Sequence, residues 1–538
     1  MKIYTITFII FLTISKLFSQ NISISASNQL KAGSGYEIGG VYLHKNKKNY
    51  FDNISDFRLF LPNTAIGFRL EYANPPEFGL KFVGIRDVFV DYVKDNFNIR
   101  AGYINDLFAR GLSLNLFRKR ELAFDSGIEG LRIGYEGKFI SGKVIGGDLN
   151  FVDPTNIFIN NPITENYKII GLNLEIRPIT YLLIGGNFVH TEGFIPSPIS
   201  TLDSIEANIP EIYLKSKISD FDFFISYAIK RTLQKNSSTK KGSGLYSSFS
   251  YAGEKIGLTI EYKDYRFDIV NPIKRADVFR PTRALPFQNP PTVHKEHSFT
   301  LLQRFPHVVD FNDEVGLQLD AFFSITNSTT LNTNFSLASR HFDYEKGLNP
   351  LEFNQKRLGI DWLPSLDRKR SPFWEIYFDI EHFYDDADSY VRLGLNRRSK
   401  IFYENLGFYV SDLSLRTLTL PAEIQHRWNS YLVTKLTSES QWVFEYTDDK
   451  KYYNHLVGLS GNLFSKLTVG FRYEKTTSKY EPEGRKDWFV VEFGYRFGMA
   501  NSIIINYGRE RGGKVCTQGI CREILPYNGL RLNINTNL

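Results

Sequence analysis

The feature that most constrains this chain is an alternation of apolar and polar residues at period two, repeated along its length. In Leu258-Thr259-Ile260-Glu261-Tyr262-Lys263 the apolar set falls on one side and the polar set on the other. Leu467, Val469, Phe471 and Tyr473 stand against Lys466, Thr468, Arg472 and Glu474. Phe489, Val491, Phe493, Tyr495 and Phe497 form a further stripe with Glu492 and Arg496 opposite. The last stretch sets Leu530, Leu532, Ile534 and Leu538 against Arg531, Asn533, Asn535 and Asn537. Successive side chains of a strand point to opposite faces, so each segment has one apolar face and one wet face.

The connections between these segments narrow the choice. Very short polar turns are expected at Pro62-Asn63-Thr64, Lys94-Asp95-Asn96, Glu136-Gly137-Lys138 and Pro178-Ile179-Thr180. Ser219-Asp220, Gly253-Glu254, Asp385 to Asp388, Trp428-Asn429-Ser430 and Ala500-Asn501 continue the series. Longer connectors are expected between them, at Gly33 to Asn53, Ala109 to Gly127, Asp148 to Tyr167 and Thr191 to Ile209. Short turns at one end and long loops at the other mark an up-and-down transmembrane barrel, whereas a sandwich mixes its turn lengths. A propeller would show repeats of about 40 residues, and none is seen.

Composition agrees, because aromatic residues make up 15% of the chain. Phe97, Tyr103, Tyr181, Tyr227, Tyr251, Tyr495 and Tyr507 fall near segment ends, where interfacial girdles need them. The expected fold is all-β: a large antiparallel up-and-down transmembrane β-barrel of roughly 22–26 strands, even in number. Asn271 to Pro306 breaks the pattern with six of the 21 prolines. Proline cannot donate to a ladder, so this stretch is expected to be a long loop or a partial plug in the lumen.

Met1 to Ser19 reads as a secretory signal peptide, with Lys2 ahead of an apolar run from Ile3 to Ile14. Residues 20–538 would then be the barrel domain of an exported protein placed in the outer membrane. After the leader no apolar run is long enough for a transmembrane helix, and mean hydropathy is −0.26. The net charge of +7 is dispersed or confined to short runs such as His44 to Lys48 and Lys235 to Lys241. That excludes a nucleic-acid footprint, which needs clustering on one face.

No hydrolase, metalloprotease, phosphate-loop or CxxC motif is present, so neither enzyme nor cofactor is expected. His294 and His297 lack a third metal ligand and read as solvated loop histidines. Asp385-Asp386 and Asp448-Asp449 read as turn residues.

Two stretches carry candidate functional residues. Arg110 to Arg132 packs Arg110, Arg118, Arg120, Glu121, Asp125 and Glu129 among glycines, a density that fits a loop folded into an aqueous lumen. Arg118 and Arg120 are expected to face Asp125 and Glu129 across a constriction that sets solute preference. The alternative is a salt-bridged loop that only braces the wall. Cys516 and Cys521 are expected to form a disulfide, since exported paired cysteines cross-link in an oxidising compartment. Gly519 would supply a positive φ to that small loop, and the bridge would hold Arg509, Arg511 and Arg522 as a basic array at the surface.

Arg100 to Tyr135, the run Tyr507-Gly508-Arg509-Glu510-Arg511-Gly512-Gly513, and Cys516 to Arg522 with Pro526 and Asn528-Gly529 together resemble a known family. It is an uncharacterised family of outer-membrane barrel proteins from Bacteroidota, catalogued as a domain of unknown function. The resemblance implies the barrel and the membrane but no activity. One departure is the final Leu538, where such chains usually end in an aromatic residue. The functional expectation is a passive porin-like pore or structural barrel, with outer-membrane lipid and small solutes as partners. Its rival is a non-conducting barrel that binds an envelope protein in secretion, adhesion or envelope biogenesis.

Overall fold

The computed structural model describes residues 22–39, 44–153, 164–196, 202–234, 239–269, 285–346, 348, 353–356, 360–405, 410–445 and 450–538. The leader Met1–Ser19, Asp448-Asp449 and residues 271–284 of the proline-rich stretch lie outside these. Among the described residues, 24 strands form one sheet in which every neighbouring pair is antiparallel. The sheet closes on itself where Ser23–Gly39 pairs with Tyr527–Asn537, in a register that sets Gly33 opposite Arg531. A closed sheet has no free edge, and it joins the first strand to the last.

Turns at one end are short. Leu61 is followed by Thr64, Lys94 by Phe97, Ile218 by Phe221 and Ala252 by Ile256 across those gaps. Asp385 and Asp386 lie in the turn after Phe373–Tyr384 with left-handed φ of 56° and 52°, a conformation aspartate tolerates. The long connections all leave from the opposite end.

Two expected connectors are corrected. Gly33 to Asn53 and Thr191 to Ile209 are mostly strand, within the hairpins Ser23–Gly39/His44–Leu61 and Leu182–Pro196/Leu202–Ile218. The upper part of the first hairpin has no apolar stripe. Ladder hydrogen bonds form whatever the side chains are, so a strand wet on both faces carries no period-two signal. In the second hairpin Ile205, Ala207 and Ile209 alternate inward and are buried in the core, so there the strand was marked by its own alternation.

The outer face is apolar in the middle. On Glu165–Ile179, Ile170, Leu172 and Leu174 are 59%, 48% and 53% exposed while the alternate residues Ile169 and Asn173 are buried. Val491, Phe493 and Tyr495 repeat this on Asp487–Phe497. A contiguous outward band of this kind needs an apolar surrounding. Phe97, Tyr181, Tyr227, Tyr495 and Tyr507 are exposed at or near its margins. Tyr103 is the exception: it is buried, because it faces the interior and donates to Asp125 at 2.7 Å. No helix among the described residues is long and apolar enough to cross a membrane.

Candidate functional site

The main hydrophobic core lies inside the barrel, where three segments enter from the long-loop end. The first runs from Asp106 to Gly127, the second from Leu285 to Asp313, and the third is the hairpin Gly513–Thr517/Ile520–Ile524. Phe108, Leu112, Leu114 and Leu116 of the first meet Leu285, Phe287, Val293 and Phe311 of the second. Val515 and Ile520 of the hairpin join them. This core is completed by inward residues of the wall, including Ile145, Ile169, Val189, Ile209, Tyr213 and Tyr265.

Backbone polar groups of the inserted segments find partners in one another. The amide of Asn115 donates to the carbonyl of Phe287 at 2.7 Å, and Gln288 Nε2 donates to the carbonyl of Leu112 at 2.8 Å. Asn289 Nδ2 donates to the Gln518 carbonyl at 3.1 Å, and the Gln518 amide donates to Glu296 at 2.6 Å. Pro286, Pro290, Pro291 and Pro306 keep the second segment out of any ladder. Two of their carbonyls are used instead: Tyr265 Oη donates to Pro291 at 2.9 Å and Lys400 Nζ to Pro306 at 3.3 Å.

On the opposite side of the barrel the second segment meets the wall through charge. It forms one helical turn, Thr300–Gln303, whose first amides are orphan donors. Glu439 accepts from the amides of Thr300 and Leu301 at 2.9 Å and 2.7 Å. At the other end Arg398 donates to the carbonyls of Leu302 and Phe305 at 3.0 Å and 2.8 Å. Arg398 is itself held by Glu375 at 2.6 Å, and Glu375 also contacts His297 at 2.9 Å. Glu439 stands in the middle of Leu432–Glu445, so the inserted turn reaches about half the height of the wall.

The first segment is held the same way. Glu211, midway along Leu202–Ile218, accepts from Ser113, from Ser226 at 2.5 Å and from Asn187 at 2.8 Å. Asp106 pairs with Lys143 and with Arg132 at 3.4 Å.

Arg118 pairs with both Asp87 and Asp125, its Nε lying 2.7 Å from Asp125, and its guanidinium covers the Tyr103 ring at 4.6 Å. Burial works against that charge, but Asp87 and Asp125 outweigh it and hold the guanidinium above its ordinary range. Arg120 is corrected: it donates to Gln29 at 2.6 Å and does not face Asp125 or Glu129. Arg120 opens the short helix Arg120–Leu122, which ends at left-handed Ala123, and its side chain reaches the first strand instead. Arg110 lies over the Phe224 ring at 5.4 Å, Glu121 is exposed, and no ion pair among the described residues reaches Glu129 on its strand.

Cys516 and Cys521 are bonded, with Gly519 at φ 78° in the turn between them. The basic array is corrected. Arg511 is buried between Glu474 at 2.8 Å and Glu481, and their charges hold its guanidinium up against the cost of burial. Arg522 stacks on Phe78 at 4.4 Å and Arg509 on Phe489 at 5.9 Å. The hairpin folds inward, so its neighbours meet different walls.

The histidines are corrected as well: both pack within the inserted segment rather than lying solvated, the His297 side chain only 3% exposed and His294 half-buried against His307 and Phe373. Burial pushes His294 down to about 3, with His307 and Lys263 adding to the effect. Among the described residues no group of three metal-ligating side chains comes together. The docking residues Glu375, Arg398, Glu439 and Glu474 escaped sequence reading, because each occupies an ordinary polar position of an alternating strand.

No curated protein matches this sequence. Similar solved structures include the siderophore receptor PirA from Pseudomonas aeruginosa, at 8% identity and TM-score 0.45, covering 97% of this chain and 81% of that one. The copper transporter OprC aligns at 9% identity and TM-score 0.46, with coverage of 97% and 81%. The P pilus usher PapC translocation pore aligns at 8% and 0.39, with coverage of 96% and 99%. These likenesses are of barrel shape alone. Residues 1–538 match the sequence pattern described as a family of unknown function, DUF6029, and the chain belongs to that family.

Proposed function

We propose that this protein is an exported outer-membrane barrel, closed at rest by its own inserted segments, and that it works as a gated conduit. The apolar outer band supports the membrane placement, and the leader-like Met1 to Ser19 supports export. In this reading the short turns face the periplasm and the long loops face outward. One observation carries the reading against a passive porin: an apolar core of three inserted segments fills the space that a porin keeps wet. The purified full chain in a planar lipid bilayer should therefore show no steady conductance of porin size. Wide, steady, unselective channels from the unaltered chain would restore the passive-pore reading. No enzymatic activity forms part of this proposal.

A further inference from the structure

We propose that small anions cross the closed barrel along a polar seam between the inserted segments and the wall strands Leu467–Thr476, Asp487–Phe497 and Asn501–Glu510. The proposal rests on the closed-lumen reading above and names the route and solute class within it. It begins from an asymmetry. Toward the strands between Ile128 and Arg266 the inserted segments are fused to the wall by a continuous apolar core. Toward the strands between Leu467 and Glu510 they meet the wall through charged groups, and space remains.

That space consists of two cavities, of about 180 Å³ and 260 Å³, which share Arg472, Val490 and Glu510 in their linings. Each has room for several waters, since one needs only about 10–15 Å³ of such space. The upper cavity reaches the long-loop rim at Trp488 and lies under Arg304, Arg511 and Lys514. The lower one continues toward the short-turn end past Lys435, Ser460 and Glu492.

Small residues keep the lower wall open. A Cβ added at Gly470 would meet nothing closer than the Glu492 Cβ at 3.5 Å, and one at Gly458 nothing closer than the Thr437 Cβ at 3.8 Å. Many other glycines of this barrel face backbone or rings under 3 Å away, as Gly130 and Gly185 do. Here the absence of a side chain leaves volume, and no close packing requires it.

Charge selects the solute. Glu474 is already shared by Arg304 and Arg511, and Glu510 is held by Arg531 at 2.5 Å. Among the described residues no carboxylate forms an ion pair with Lys514. Arg472, at the waist common to both cavities, makes only a loose 3.6 Å pair with Glu510, and its side chain is 45% exposed. The upper cavity therefore presents a surplus of positive charge, while below it Lys435 is neutralised by Glu423 at 2.7 Å and Arg472 shares the lining with Glu492 and Glu510. A positive entrance concentrates anions, and a balanced exit lets them leave.

The test is single-channel recording of the full chain under a potassium chloride gradient and again with inorganic phosphate, alongside Arg472→Glu and Gly470→Trp. Folding of each variant is checked by heat-modifiable gel mobility. The expected result is small, anion-selective events in the unaltered protein. Arg472→Glu should move the reversal potential toward cation preference, and Gly470→Trp should cut the conductance several-fold. Small events with size and selectivity unchanged in both folded variants would overturn the seam while leaving the closed lumen standing. Complete silence of the folded unaltered protein would also overturn it. Porin-sized currents that ignore both substitutions would instead overturn the closed-lumen reading itself.

Discussion

Arg118 ties three elements together at one guanidinium, joining Asp87 of a wall strand, Asp125 of its own segment and the Tyr103 ring. Arg118→Ala would leave Asp87 and Asp125 near each other with no cation between them. Breaking a buried pair costs about 3–5 kcal/mol, and the partial exposure of Asp125 lowers this toward ~2–3 kcal/mol. The expected outcome is a lower unfolding midpoint in detergent with unchanged single-channel behaviour; altered selectivity at full stability would return this residue to a constriction role. His341 offers a second measurement. It is buried, with Nδ1 and Nε2 each 2.8 Å from Asp313 and Asp264. Burial disfavours its charge, but the two carboxylates more than offset this and hold its proton above the usual range. An unfolded histidine titrates near ~6.5, so this stabilisation is complete below that pH and is lost as pH rises through the higher folded value. Unfolding midpoints taken across that rise should fall for the wild type, and His341→Gln should flatten the contribution. An undiminished slope in the variant would remove His341 as its source. The Arg118–Asp125 pair was expected from the sequence and is present, but nothing in the spacing of Arg118 or His341 names Asp87 or Asp264, 31 and 77 residues away.

The final strand tests the wall at the scale of the element. Tyr527–Asn537 alternates Leu530, Leu532 and Ile534 outward with Arg531 inward, where it meets Glu510. Leu532→Arg near the middle of the apolar band should cost about 2–4 kcal/mol, against little for Asn533→Arg on the lumen face. Folding titrations into lipid vesicles would show it, and equal losses at both positions would contradict this register. Strands that cross the apolar band were readable because an apolar surrounding on one side and a polar interior on the other impose opposite demands on neighbouring residues. The tops of Ser23–Gly39 and His44–Leu61 were not, because water on both sides imposes none. The proline-rich stretch could be read only by exclusion. Proline ruled out a ladder, but nothing local decided between an outer loop and a lumen filling.

For the whole molecule, closure depends on how firmly the inserted turn Thr300–Gln303 is held at mid-height. Glu439→Gln with Arg398→Gln would weaken both ends of that hold while leaving the apolar core intact. Brief, wide openings should then appear in bilayer recordings where the unaltered protein shows only small events. An unchanged record with a folded barrel would place the restraint in the apolar core alone. The candidate segment from Arg110 to Glu129 was legible as one that enters the lumen, because its charge density and glycines do not suit a strand. Its partners were not, since they lie near residue 290 and residue 518 and only the closed circle of strands brings them together.

The hairpin Gly513–Thr517/Ile520–Ile524 also has a place in time. It lies immediately before Tyr527–Asn537, the strand that pairs with Ser23–Gly39 and completes the circle. A chain emerging from its N-terminus delivers the other two inserted segments long before this one. Until the stretch from Gly513 onward arrives, the wall has an unzipped flank and the apolar core lacks Val515 and Ile520. Joining the flank and completing the core thus fall to the same stretch of chain, at the same moment. On the closed-lumen reading, a barrel of this design stands wide open only while it is still incomplete, and a copy truncated ahead of Gly513 would be both unjoined and unfilled.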